Sequence, residues 1–246
     1  MSKTYFNWST GKDSALALYY LNKNNSLHVD HLVTTVNAHY NRVSMHGLRK
    51  ALLLDQVKAL GLSLDVVELP EQPTMEEYNS IMAKTVKRLK QEGYTDCGFG
   101  DIFLEDLRAY REKQLVGINC HFPLWKKDTT ALLNAFIDLG FKAIVNCING
   151  SLLDDSFVGR TLDASFLRDL PKGVDPCGEN GEFHTFCYDG PIFSAPVSFE
   201  IGEKIVRYYN KPNGEIDEKT AYWFCLLYTS DAADEGLGVD LGGRRI

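Results

Sequence analysis

The sequence predicts an α/β protein: a parallel, doubly wound sheet followed by a smaller α+β portion. Two observations carry that expectation. From residue 3 to residue 102, short apolar stretches alternate with helix-length amphipathic ones, the pitch of a parallel sheet with helices on both faces. Beyond Trp125 the alternation loosens into turn-rich, acidic sequence that then reads as β-structure.

The elements follow in order. "KTYFNW" (3–8) reads as a short buried strand, and 13–21 as a helix with Ala15, Leu16, Leu18 and Tyr19 on its apolar side. "HVDHLVTTVN" (28–37) is a second strand, "HGLRKALLLDQVKALG" (46–61) a helix that Gly61 ends, and "LDVVELP" (64–70) a third strand stopped by Pro70. The stretch 74–93 is an amphipathic helix with Thr74 as N-cap and Gly93 as C-cap, a solvated cover without evident chemistry. "DCGFGDI" (96–102) is the fourth strand. After "FPLW" come a helix capped by Asp128, a strand at "KAIVNCI" (142–148), turns over 150–190, and β-structure over 192–209 with Pro196 and Gly202 as turn residues. The expected division is a Rossmann-like half over 1–125 and a closing half over 126–224.

The net charge is −7 and the pI about 5.4. An acidic chain argues against bulk nucleic-acid binding, which needs a basic face. The six cysteines (Cys97, Cys120, Cys147, Cys177, Cys187, Cys225) form no CxxC pair. A zinc ribbon or dithiol redox motif is therefore not expected, and they read as reduced thiols of a cytoplasmic protein. No leader precedes the first strand, and no apolar run is long enough to span a membrane.

Between the first strand and its helix lies Ser9-Thr10-Gly11-Lys12-Asp13-Ser14. A strand, a glycine turn and a helix start form an anion site, because backbone N–H groups and the helix dipole face the ligand. Gly11 lets the backbone approach phosphate oxygens, Lys12 adds a point charge, and Ser9, Thr10 and Ser14 add hydroxyl donors. A carboxylate at Asp13 would repel phosphates unless a cation intervened, which points to Mg²⁺ bridging the two. The Walker A spacing GxxxxGK[ST] is not met, since Asp follows Lys12 and no glycine lies five residues upstream of Gly11. The stretch resembles instead the PP-loop of the ATP pyrophosphatases, SGGKDS, with Thr10 in place of the first glycine. That resemblance implies ATP cut between its α- and β-phosphates.

Four further stretches, "MHGLRKALLLDQVKALGL" (45–62), "FGDIFLEDLRAYRE" (99–112), "FPLW" (122–125) and "DPCGENGEFHTF" (175–186), together resemble the diphthine–ammonia ligase-like family of PP-loop ATPases. The resemblance covers 3–224. It implies an adenine-nucleotide α-hydrolase-like sheet, a family-specific C-terminal domain, and amidation of a carboxylate with ATP and ammonium. For eukaryotic and archaeal members the acceptor is diphthine on elongation factor 2. For bacterial members the acceptor, a small molecule or a protein, is not implied. Two other readings stand beside it: a PP-loop enzyme that modifies or thiolates RNA, and a non-catalytic nucleotide-binding regulatory module.

The expected catalytic set is Lys12, Asp13, Asp101, Glu179 and Glu182, with Asp13 also the metal ligand. Asp101 lies at the carboxyl end of the fourth strand, where such sheets present ligands. Glu179 and Glu182 sit three apart in a turn with His184 close behind; they could bind ammonium, orient Mg²⁺ or act as a general base, or form a solvated hairpin. Ser9, Thr10, Gly11, Lys12 and Ser14, with Thr35 and His46, form the expected nucleotide-binding set; His39 and His46 flank a loop expected by the adenine and ribose. Glu105, Arg108 and Glu112 recur at one-turn spacing, as a charged wall of an acceptor pocket or a surface ion-pair ladder. Arg160 and His184 complete the substrate-binding set; Arg160 could instead pair with Asp154, Asp155 or Asp163. Cys177 reads as a neutral thiol rather than a nucleophile, and Trp8 and Trp125 as core.

Residues 225–246 change character and resemble the frame translation of a transposase-type sequencing adapter. They are excluded from the fold expectation, with the natural chain expected to continue differently beyond Phe224; the alternative is a disordered tail.

Overall fold

The computed structural model describes residues 2–23, 27–44, 46–210 and 216–229. Its first half runs β1 (Lys3–Asn7), α1 (Lys12–Lys23), β2 (Val29–Asn37), β3 (Arg42–Val43), α2 (Lys50–Leu60), β4 (Ser63–Leu69), α3 (Met75–Gln91), β5 (Tyr94–Gly98), α4 (Glu105–Gln114) and β6 (Asn119–His121). Strands pair in parallel in the order β4-β2-β1-β5-β6, and the two-residue β3 folds back antiparallel onto the end of β2. The chain builds outward from β1 through β2 to β4, then crosses to β5 and β6 on the other side. The strand order reverses between β1 and β5, so a crevice opens at their carboxyl ends.

Residues alternate across β1 as a strand requires. Phe6 packs in one core with Ala15, Leu16 and Leu18 of α1 and Leu52 and Leu53 of α2. Its neighbour Tyr5 faces a second core with Val33, Val67 and Leu89 of α3. Helices therefore cover both faces, as the fold class requires. Thr74 forms a capping box with Glu77, and Gly93 follows the helix end at φ 92°. Gly61 stops α2 in the left-handed region at φ 68°.

The second half contains α5 (Thr129–Asp138), β7 (Lys142–Asn149), α6 (Ala164–Asp169), β8 (Phe183–Asp189), β9 (Glu200–Asn210) and β10 (Ile216–Tyr228). Its four strands form an antiparallel sheet in the order β8-β7-β10-β9.

Several boundaries differ from the sequence reading. The helix expected from residue 46 starts at Lys50, because Arg49 is extended (φ −61°, ψ 138°). The short β3 and β6, the six-residue α6 and β8 carry no periodicity strong enough to read. In β8, Phe183, Thr185, Phe186 and Cys187 are all buried, which erases the alternation of a half-buried strand. No strand forms over 192–199, and Gly202 lies inside β9, where a side chain would strike the Tyr228 ring. The stretch Cys225–Tyr228 continues β10 against Glu200, Ile201 and Lys204, so strand structure runs four residues past Phe224. Residues 230–246 lie outside the described residues.

The two halves share one hydrophobic core, in which Phe6 and Leu18 join Phe136 and Phe186. A buried amide reinforces the seam. Gln56 of α2 accepts from Trp8 Nε1 at 2.9 Å and donates to the Thr10 carbonyl at 3.0 Å and to the Cys187 carbonyl. Replacing Gln56 by Leu keeps the bulk but strands the Trp8 donor and takes one bond from each of two carbonyls, of which that of Thr10 keeps the Cys187 N–H. The expected loss is about 2–4 kcal/mol, read as a lower urea midpoint at unchanged slope.

Candidate functional site

The Ser9–Ser14 loop turns at the mouth of the crevice. Thr10 adopts φ 73°, a left-handed conformation rare for a β-branched residue. Its carbonyl is held by the Cys187 N–H at 3.0 Å and by Gln56. Gly11 is tightly packed: a Cβ there would lie 3.1 Å from His46 and 3.2 Å from the Thr185 carbonyl oxygen, so its neighbours would have to give way. The loop after β5 passes equally close, since a Cβ on Gly100 would lie 3.0 Å from the backbone of Asp13 and of Ser14. Loop amides meet hydroxyl oxygens: Ser9 N donates to Ser14 Oγ at 3.1 Å, Gly11 N to Ser9 Oγ at 3.4 Å, and Lys12 N to Thr185 Oγ1 at 3.0 Å.

Lys12 is 3% exposed. Its Nζ lies 2.7 Å from Asp13 Oδ2 and donates to the Cys177 carbonyl. Burial works against the ammonium, but Asp13, Cys177 and Glu179 more than offset it and keep Lys12 charged. Asp13 sits above the ordinary carboxylate range, since burial outweighs Lys12. Glu179 reaches from the second half to the first, where its Oε1 accepts from Ile102 N at 2.8 Å and Phe103 N at 3.4 Å. Burial, then Asp13 and Asp101, push its carboxyl up to about 7. Glu182 is buried; its Oε1 accepts from Asp175 N at 3.2 Å and Asn180 Nδ2 at 3.0 Å, and its Oε2 has no partner among the described residues. The 175–182 turn is therefore an ordered cover rather than a solvated hairpin. The His46 and His184 rings lie 4.7 Å apart beside it. Thr35 is half-buried in β2, its carbonyl accepting from Ser44 N at 3.0 Å, two residues before His46.

The structure thus brings together Ser9, Thr10, Gly11, Lys12, Asp13, Ser14, His46, Asp101, Glu179 and His184. Others it pairs elsewhere. Glu105 bonds Lys126 at 2.7 Å, and Arg108 bonds Glu112 at 2.8 Å while stacking on Phe122 and Trp125. Of the ladder their spacing allowed, only the Arg108–Glu112 rung forms, since Glu105 turns to Lys126. Arg160 pairs with Asp169 at 2.8 Å and stacks on Phe157 and Phe166; none of the three expected acids takes it, and Asp163 caps α6 instead. Burial pushes all six thiols up, and Cys177 Sγ points at the Thr129 carbonyl. Three site residues escaped the sequence reading. Thr185 sits in the unforeseen β8, Gln56 looks like any polar helix residue, and Arg111 holds Asp101 through Nε at 2.8 Å and Nη2 at 3.1 Å. Arg111 stands one turn beyond Arg108, and sequence alone does not tell which of the two turns inward.

This geometry defines a class: a Rossmann-like α/β protein with a strand-to-helix glycine loop at its switch point, covered by a second half. Family profiles described as the diphthamide synthase N-terminal and C-terminal domains match residues 2–116 and 128–223. The diphthine–ammonia ligase of Danio rerio is 28% identical over 130 residues, covering 50% of this chain and 51% of the relative. That of Homo sapiens is 33% identical over 89 residues, covering 34% of this chain and 33% of the relative. The chain thus spans about half of the first relative and a third of the second. A solved structure described as a predicted subunit of a tRNA methyltransferase from Methanocaldococcus jannaschii superposes with a TM-score of 0.38 at 16% identity, over 58% of this chain and 77% of that one, too distant to bear on function. The chain belongs to the diphthine–ammonia ligase-like family. Among the described residues no helix is long and apolar enough to cross a membrane.

Burial, with a contribution from Lys12, lowers the His46 imidazole from 6.5 to about 4. Between those values the unfolded chain binds a proton that the folded chain refuses, so this group's stabilisation is lost as pH falls through that window. Glu179 acts with opposite sign, because its folded carboxyl holds a proton longer as pH rises from 4.5 to about 7. Replacing His46 by Gln removes the group that penalises acid pH, so the urea midpoint at mildly acid pH is expected to rise relative to that at neutral pH.

Proposed function

We propose that the protein is an ATP-dependent, amide-forming ligase that adenylates a carboxylate and then transfers ammonia to it. The observation that supports this best is Glu179. It is a buried carboxyl poised near neutrality, fixed between the anion loop and the crevice by two backbone amides of the opposite half.

The chain's own residues suit both steps. Phosphate oxygens would displace the hydroxyls now bonded to the amides of Ser9, Gly11 and Lys12, and Lys12 would neutralise the departing pyrophosphate. The acceptor carboxylate attacks the α-phosphorus, the α–β bridging bond breaks, and pyrophosphate leaves. Glu179 takes a proton from ammonium, ammonia attacks the acyl carbon, AMP leaves with the bonding pair, and the nitrogen gives its extra proton to the departing phosphate. The covered crevice keeps water from the adenylate. Among the described residues no three acidic, histidine or cysteine side chains gather as a metal cage. An ion carried by the phosphates needs only one or two protein carboxylates, and Asp13 fits that role. Mg²⁺ would there offset the charge of the leaving group. ATP, ammonium and a carboxylate-bearing acceptor are the proposed substrates, with diphthine on elongation factor 2 the first acceptor to try.

Incubation with Mg-ATP, ammonium and acceptor is expected to yield AMP and pyrophosphate, with the rate down about 10²-fold or more in Lys12→Ala. ADP and phosphate would refute the mechanism. Activity is expected to rise with pH through about 7 as Glu179 loses its proton. Replacing Glu179 by Gln should remove that limb, with partial rescue at alkaline pH, where free ammonia is abundant.

A further inference from the structure

Two acids are buried among the described residues, Asp96 and Glu182. Asp96 is fully met. Its Oδ1 takes His121 Nε2 at 2.8 Å and Asn119 Nδ2 at 3.2 Å, and its Oδ2 takes the Thr95 hydroxyl at 2.7 Å. Glu182, 3% exposed, is met on one oxygen only. Oε1 accepts from Asp175 N and Asn180 Nδ2, while Oε2 is closed off from water and has no donor. Among the described residues no lysine, arginine or histidine pairs with this side chain. The chemistry proposed above gives it no task.

The turn holds the side chain inward. The Glu182 carbonyl accepts from Asn149 N at 2.8 Å, which pins the end of the turn to β7. Gly178 N reaches the Asp175 carbonyl at 2.9 Å, and a Cβ on Gly178 would fall 2.8 Å from the Phe183 carbonyl oxygen. Asp175 ties two acids of the turn together: its N–H goes to Glu182, and its Oδ2 accepts from Glu179 N at 2.9 Å. The open oxygen thus belongs to the same ordered turn as the proposed base.

A buried carboxylate is normally paired with a cation or holds a metal. A divalent ion asks for several oxygen ligands, and no three acidic, histidine or cysteine side chains gather among the described residues. An alkali ion supplies charge but no hydrogen bond. The covered Oε2, whose twin is satisfied by two N–H donors, is matched by a small cation that carries N–H groups of its own.

We infer that Glu182 is an ammonium site: Oε2 holds the nitrogen donor as its cation, in the turn that also carries Glu179. The inference rests on the ligase reading for what becomes of that nitrogen, but not for its binding.

The test follows the urea midpoint of the full chain as ammonium chloride replaces sodium chloride at constant chloride and pH. A ligand that binds the folded state raises the midpoint with its concentration. The wild type is expected to show a saturable rise, and tetramethylammonium, which has no N–H to give, to show none. Replacing Glu182 by Gln should weaken the apparent affinity for ammonium at least tenfold. A second readout needs no variant: ¹⁵N-edited spectra should connect bound ammonium protons to the amide protons of Asp175 and Asn180. No saturable rise over sodium, an equal rise with potassium, an unchanged ammonium response in Glu182→Gln, or ammonium contacts only elsewhere would each overturn the assignment. Failure of the wild type to release AMP would refute the ligase reading and move neither readout.

Discussion

The constraint on which the rest depends is the burial of one ammonium. Lys12 stands at the start of α1, in the loop proposed to hold phosphate, yet it is almost wholly withdrawn from water. Such a charge costs several kcal/mol unless it is paired and hydrogen-bonded. Its partners come from three places: Asp13 beside it, the Cys177 carbonyl in the turn before β8, and the face of Phe183 in β8, 5.2 Å away. Two of the three belong to the second half. The lysine can be buried only if that half closes over the loop, so the charge and the architecture determine one another.

That closure makes the crevice shared between the halves. Glu179 crosses in one direction to the amides after β5, while Gln56 ties the loop after β1 to β8 in the other. A carboxyl fixed in this way, near Asp13 and Asp101, cannot lose its proton as an exposed glutamate would. The polarity that organises the loop is thus the polarity that raises the Glu179 carboxyl. A solvated hairpin at 175–182 would have done neither.

Much of this was legible in the chain. Long strands such as β2 and helices with good caps such as α3 announced themselves through periodicity and end signals. The turn from β1 into α1 announced itself through a strand, a glycine and a helix start in succession. What stayed hidden were elements whose identity is set by tertiary contacts. Strand β8 is buried too evenly to alternate, and β6 is three residues long. Glu105, Arg108 and Glu112 were correctly read as one helical face, but a face does not state which way it points. The inward arginine is Arg111, chosen by Phe99 and Asp101, which are distant in sequence from the helix but adjacent at the end of β5. Arg160 found its acid in Asp169 because α6, which brings that residue near, was itself unread.

Thr10 shows how such a site tolerates local cost. Where the resembling loop has glycine, this chain places a β-branched residue at positive φ, at about 1–2 kcal/mol for a left-handed residue. Its hydroxyl is buried without a partner among the described residues, a further cost of about 1–3 kcal/mol. Neither sum is recovered by the side chain. The backbone recovers part of it, since the twist at Thr10 aims its carbonyl at the Cys187 N–H and the Gln56 amide, and so fastens the loop to its cover. Glycine would adopt the same twist with less strain but more freedom in the unfolded chain. A hydroxyl with no protein partner, beside amides that meet other hydroxyls, is a donor that fits the phosphate oxygen of the proposed substrate.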